Sequence, residues 1–187
     1  QSGENFAAER GIILRSVGFR IIGENALPVA WRFGQRHIIA DDRLHEVGLF
    51  QGTGMTASGA PQYDLDRAPT RAEAAVMLVR LLGKEADAKT LTYTAPFPDL
   101  AAWEQPYIQY LYDNGLTQGT SATSWSPEDM CDARMYAAFL LRSLGYSDTA
   151  GDFSYTDAAE AAAQLGVYDL AAVDTELFNR DDAAAAS

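Results

Sequence analysis

Met77, Leu78, Leu81 and Leu82 fall on one face of a 3.6-residue helix. The sequence marks both ends of that helix. Pro69 stops any incoming helix, Thr70 stands as N-cap, and Glu73 is spaced to close a capping box on the Thr70 amide. Gly83 reads as the C′ residue, where a positive φ costs little.

The same alternation of helix and breaker recurs. Trp103, Tyr107 and Leu111, with Ile108 and Tyr112 beside them, form an apolar stripe whose N-cap is read as Asp99 and whose end is Asn114-Gly115. On this spacing Trp103 and Tyr107 read as core. Tyr136, Phe139, Leu140 and Leu144 predict a further helix closed by Gly145. Asp157 caps an alanine-rich helix ending at Gly166, 167–178 reads as loop, and Asn179-Arg180-Asp181-Asp182 opens a last helix. Upstream, Phe6–Phe19 predicts a short amphipathic helix, and Asp41 or Asp42 caps another through Leu44 and Val47. Residues 84–95 have little apolar period and read as a connector.

Between helices the breakers also repeat. Gly48-Leu49-Phe50-Gln51-Gly52-Thr53 is echoed by Gly115-Leu116-Thr117-Gln118-Gly119-Thr120, and each is followed by a polar loop. The plan is helix, glycine turn, polar loop, helix, written about three times. A single helix pair cannot bury its own apolar faces, but packed units can, so the expectation is an all-α fold of stacked repeats. The expected boundaries are an amino-terminal segment 1–40 and units 41–95, 96–150 and a truncated 151–187. Leu14-Arg15-Ser16-Val17-Gly18-Phe19 parallels Leu141-Arg142-Ser143-Leu144-Gly145-Tyr146, which suggests that residues 5–19 pack where the shortened last helix leaves room.

Composition narrows the function classes. The 187 residues are 48% hydrophobic, ample for a core, and carry a net charge of −12. So acidic a surface argues against sequence-independent binding to nucleic acid or anionic membranes. Cys131 is the single cysteine, so neither an intrachain disulfide nor a cysteine-built metal site is expected. No apolar run reaches the roughly 18 residues of a membrane helix, and no membrane insertion is expected. No signal peptide is visible at Gln1, which fits a cytosolic chain or the mature or excised part of an exported one. His37 and His45 lie apart. Asp64-Leu65-Asp66 resembles the start of a calcium loop but lacks its glycine and terminal glutamate. No nucleophile elbow, phosphate loop or dinucleotide motif occurs. Neither metal, cofactor nor catalytic residue is expected.

Phe97-Pro98-Asp99, Trp103, Tyr107, the Gly-Leu-x-x-Gly turns at 48–52 and 115–119, and Thr70-Arg71-Ala72-Glu73 together make a pattern that resembles bacterial S-layer homology domains. The resemblance covers about residues 41–187. It implies a pseudo-three-fold helical bundle at the bacterial cell surface. It implies non-covalent, non-catalytic anchoring to a secondary cell-wall polysaccharide, often pyruvylated, held in grooves between repeats. Asp132-Ala133-Arg134-Met135 stands where the first unit has Thr70-Arg71-Ala72-Glu73, so the second unit has lost both charged motif positions and its groove is placed in doubt. Arg180 and Asp182 match Arg71 and Glu73 in kind and spacing.

On that resemblance the ligand residues are Arg71 and Arg180, with Gly52, Gly119, Asp99, Trp103 and Glu73 shaping the grooves, and the first unit is where ligand is expected. Bland readings stand beside these. Thr70 and Glu73 serve as a cap, the glycines as turn residues, and Arg71 as one half of a surface ion pair. Arg80 and Arg142, late in their helices, suit the helix dipole. The alternatives to glycan binding are self-association or a protein-interaction role, or the targeting part of a larger surface enzyme.

Overall fold

The computed structural model describes residue 45, residue 48 and residues 51–187. The readings for 5–19, for His37 and for the helix cap at 41–42 lie outside the described residues. Among described residues 51–187, six helices follow one another: α1 (Arg71–Leu81), α2 (Glu85–Ala88), α3 (Gln105–Asp113), α4 (Ala133–Ser143), α5 (Ala158–Gln164) and α6 (Arg180–Ala185). One 3-10 turn, Tyr155–Asp157, leads into α5. A two-stranded antiparallel hairpin, β1 (Gly54–Met55) with β2 (Pro61–Gln62), rises from the polar loop ahead of α1. The described chain is helical in class, with this small hairpin added.

Helix α1 forms as its ends demand. Thr70 Oγ1 accepts from the Glu73 amide at 3.2 Å, and the Glu73 carboxylate accepts from the Thr70 amide at 2.9 Å. Gly83 closes it at φ 67° and Gly145 closes α4 at φ 93°. The single-stripe reading of α1 is corrected. Ala72, Ala74, Ala75, Val76, Met77, Leu78 and Val79 are all buried, while Leu81 and Leu82 are half-buried. A helix apolar on all sides is one packed on all sides. Here α3 and α4 both lie against α1, and α4 packs in turn on α5. The alanines and valines of α1 pass unnoticed in a search for one stripe of large residues.

The residues assigned to a connector contain α2. Its acidic first turn is tied back to α1 through Arg80 and Glu85. Gln109 of α3 then fixes the rest of the connector, its Oε1 accepting from the amides of Thr94 at 2.7 Å and Ala95 at 2.8 Å.

Asp99 does not cap a helix. Helix α3 starts at Gln105, with Glu104 at its N-cap position and Pro106 in its first turn. Asp99 instead faces the loop before α4 and accepts from the amides of Trp125 (3.0 Å) and Ser126 (2.8 Å) and from Ser124 Oγ (2.7 Å). Three donors converging on one carboxylate outbid a helix start six residues away. Asp157 stands at the N-cap position of α5 without a side-chain cap bond. The reading of 179–182 is matched by a complete capping box between Asn179 and Asp182.

Candidate grooves at two helix starts

Helices α1 and α6 begin in the same way on different loops. The amides of Arg71 and Ala72 donate to the carbonyls of Asp129 (2.8 Å) and Pro127 (3.1 Å). Those of Arg180 and Asp181 donate to Arg67 (2.9 Å) and Leu65 (3.4 Å). Counting back from the closing glycines Gly145 and Gly83, Asp129 and Pro127 are the counterparts of Arg67 and Leu65. Just before them, Ser126 and Asp64 correspond and share a left-handed backbone, at φ 57° and 48°.

The two arginine side chains follow suit. Arg71 donates through Nε to the Trp125 carbonyl at 3.0 Å and through Nη2 to the Gln118 carbonyl at 3.4 Å. Arg180 donates through Nε to the Tyr63 carbonyl at 2.9 Å and through Nη2 to the Gln51 carbonyl at 3.3 Å. Both are buried, Arg71 at 6% and Arg180 at 4% exposure. Burial pulls each guanidinium below its ordinary pKa, against the charges around it. Each arginine therefore ties one helix start to a glycine loop. That structural duty adds a carbonyl clamp to the readings made for Arg71, and among the described residues no carboxylate pairs with it.

Each clamp borders a groove. One, of about 230 Å³, is lined by Arg180, Gln51, Gly52, Thr53, Glu73, Met77, Arg80, Trp103 and Tyr107, among others. The second, of about 260 Å³, is lined by Arg71, Gln118, Gly119, Thr120, Met135, Phe139, Arg142, Asp148 and Tyr155, among others. The correspondence runs through both walls. Gln-Gly-Thr forms one side of each, and Met77 and Arg80 of α1 stand where α4 has Phe139 and Arg142. The central exchange is Glu73 for Met135 at the third helical position.

The glycines are required by the loops themselves. A Cβ on Gly52 would come 2.5 Å from the Gln62 carbonyl oxygen. On Gly119 it would strike the Phe97 ring at 2.5 Å and the Ser124 carbonyl at 2.6 Å. Close approach of backbone to backbone explains both positions.

Arg80 and Arg142 do more than complement a dipole. Arg142 grips Asp148 through Nη2 at 2.6 Å and Nε at 3.0 Å. Arg80 pairs with Glu85 at 3.2 Å, and Glu85 also accepts from Tyr107 Oη at 2.7 Å and pairs with Lys89 at 2.8 Å. Burial pushes the Glu85 carboxyl up, and the bonds from Lys89, Arg80 and Tyr107 outweigh it, holding its pKa at about 2. In both segments an acid follows the late arginine by a few residues, a signal present in the sequence.

Trp103 is corrected from core to groove wall. It is 55% exposed, whereas Tyr107, also in the lining, is buried. Trp103 precedes the first turn of α3, where helical spacing no longer governs direction. Asp99 lines neither groove and acts on the second one through the loop it holds.

The expected pairing of groove and unit is also corrected. A motif arginine does not serve its own unit's loop, because α1 reaches across to 117–125. The loop at 115–120 thus keeps an arginine although its own following helix has lost one. At the position of that loss, Ala133 is buried and its carbonyl accepts from Tyr168 Oη at 2.9 Å. Sequence reasoning missed Met135, Phe139 and Tyr155 as lining. Tyr155 lies on a 3-10 turn with no periodic signal, under the Arg134 guanidinium at 5.3 Å.

A 64-residue stretch, 33% of this chain, is 36% identical to an endoglucanase of Bacillus sp. (strain KSM-635). The match spans 7% of that enzyme's length. No family model matches the chain.

Proposed function

We propose that this chain is a cell-wall glycan-binding module of the S-layer homology type. Its units would close a pseudo-three-fold bundle, and it would act outside the cell as a non-catalytic anchor. The observation that carries this reading is the pair of corresponding grooves. Each combines a buried arginine from one helix start, a glycine-pinned loop from another segment, and a second arginine late in the adjoining helix. Exposed Trp103 adds an amphipathic ring of the kind that packs on a sugar face.

The chemistry of the groove acids supports binding over catalysis. Glu73 is chelated by Arg67 and Asp148 by Arg142, so neither is free to shuttle a proton. For Glu73 burial pushes the carboxyl up and the bonds from Arg67 and the Thr70 amide outweigh it; for Asp148 the Arg142 bond dominates over burial, so both lie below the ordinary range.

The match to an endoglucanase favours a second, compatible reading, in which this chain is the targeting part of a larger surface enzyme. The matched stretch is a small fraction of that protein, as an accessory segment would be. Self-association is the competing partner class. Co-sedimentation with purified bacterial wall sacculi tests the anchor reading, and concentration-dependent oligomers without sacculus binding would favour assembly.

A further inference from the structure

Downstream of Arg142 the chain carries nine carboxylates and one base, Arg180, which is buried. Three of those acids, Asp169, Asp174 and Glu176, stand exposed on the loop before α6. The loop fixes two of them. Asp169 Oδ1 accepts from the Ala171 amide at 2.9 Å, and Asp174 Oδ1 accepts from the amides of Glu176 and Leu177, both at 2.9 Å. Among the described residues none of the three pairs with a basic side chain.

Large apolar side chains stand among these acids. A shallow hollow of about 490 Å³ is lined by Leu170, Val173, Asp174, Glu176, Asp181 and Asp182, among others. Leu170 is 48% exposed in its wall, and Leu177, next to Glu176, is 77% exposed. No arginine lines this hollow, and Leu170 stands where the two grooves have Gly52 and Gly119, so the hollow does not continue their series. A face that is both apolar and anionic fits an occupant that is apolar and cationic.

The chain itself contains such a stretch. Residues 10–40 hold Arg10, Arg15, Arg20, Arg32 and Arg36 against one acid, Glu24, in a chain whose net charge is −12. Ile13, Phe19, Ile22, Trp31 and Phe33 are interleaved with those arginines. This stretch also joins the described fold close to the hollow. His45 meets the Tyr63 ring edge-on at 5.9 Å, and the Tyr63 carbonyl accepts from Arg180 Nε at 2.9 Å. Asp181 and Asp182, the next residues after Arg180, line the hollow. Residue 40 lies within about 18 Å of His45 by chain length alone, so the stretch reaches the face.

We propose that residues 10–40 dock on the acidic face of the same chain formed by Leu170, Asp174, Glu176 and Leu177, arginines against carboxylates and apolar side chains against the two leucines. Likeness to 141–146 places only residues 5–19, and places them beside the last helix. Charge places the longer stretch on the loop before it. The inference stands apart from the glycan-binding reading and needs none of its residues.

The test uses the full chain with Ala172→Cys carrying a nitroxide spin label. Ala172 is exposed, and Cys131, the single native cysteine, is buried and stays unlabelled. In dilute solution the label broadens amide signals within 10–40. The broadening is lost when Asp169→Asn, Asp174→Asn and Glu176→Gln are combined, a variant that removes the charge and keeps the oxygens that accept from the loop amides. It weakens at about 1 M salt, where the screening length is about 3 Å. A label-free measurement runs in parallel. Replacing the five arginines by glutamine moves the Glu176 and Leu177 amide signals and leaves that of Gly119 in place.

Absence of broadening in 10–40, broadening indifferent to the triple variant, or Glu176 and Leu177 signals unmoved by the arginine replacements would overturn the proposal. So would broadening that passes in full to an unlabelled, isotope-enriched chain mixed with the spin-labelled one, since the occupant would then be a second copy.

Discussion

Arg71 and Arg180 make the same pair of bonds in two different loops. One holds the carbonyls of Trp125 and Gln118, the other those of Tyr63 and Gln51. Each guanidinium is a buried bolt between a helix start and a glycine loop. Removing it strands two carbonyls and loses charge-assisted bonds. Arg71→Ala is expected to cost about 3 kcal/mol in urea unfolding. Arg71→Lys should recover only part of that loss, since an ammonium cannot span both carbonyls as a fork does. Loss of ligand binding in Arg71→Ala thus reports on the loop as much as on the ligand.

Asp99 accepts from Trp125, Ser126 and Ser124. Burial pushes its carboxyl up, and these donors pull it below its ordinary value. Asp99→Ala should lower stability by about 2 kcal/mol. It should also raise hydrogen exchange first at the Trp125 and Ser126 amides, leaving α5 and α6 protected until global unfolding.

Glu85 sets an acid limit. Its folded pKa of about 2 lies below its ordinary 4.5. A depressed carboxyl stabilises the fold above its unfolded value, and that contribution is lost as pH falls from about 4.5 to about 2. Glu85→Gln should remove about 1 kcal/mol at pH 7, after discounting for partial exposure, and should flatten the stability profile in this window. Thermal unfolding at a series of pH values checks it.

Glu104 has the opposite sign. It is 1% exposed, its Oε2 accepts from the Ala101 amide at 2.7 Å, and its Oε1 has no partner among the described residues. Burial pushes its carboxyl up, the bond from the Ala101 amide opposes this, and the charges of Glu128 and Asp99 add to it, leaving the pKa raised. The folded chain therefore holds this proton more tightly than the unfolded one. The fold gains stability as pH falls through the raised value, and pays at neutral pH. Glu104→Gln should raise stability at pH 7 by about 1 kcal/mol and show a smaller gain on mild acidification.

Helix ends were the most legible part of the sequence. Thr70, Glu73, Gly83, Asn179 and Gly145 act locally, and local chemistry can be read from neighbours in the chain. The wider plan was legible because Gln-Gly-Thr recurs at 51–53 and 118–120. What could not be read was which loop each helix start meets. Arg71 lies far along the chain from Trp125, and one glycine turn looks as suited to its own following helix as to another. Asp99 and Trp103 misled for one reason. Both precede α3, where a capping residue and a helical stripe do not carry into the turns that lead to the helix, and there long-range partners decide orientation.

The central claim is that these grooves hold wall glycan, and Trp103 offers the cleanest handle on it. Its ring is largely exposed, so Trp103→Ala should change stability by no more than about 0.5 kcal/mol. The decisive measurement is co-sedimentation of wild type and Trp103→Ala with purified sacculi, before and after chemical removal of the wall polysaccharide. The account predicts that wild type pellets with intact sacculi, that Trp103→Ala pellets less, and that neither pellets once the polysaccharide is stripped. Equal pelleting of both proteins with intact and stripped sacculi, or failure of folded wild type to pellet at all, would contradict it.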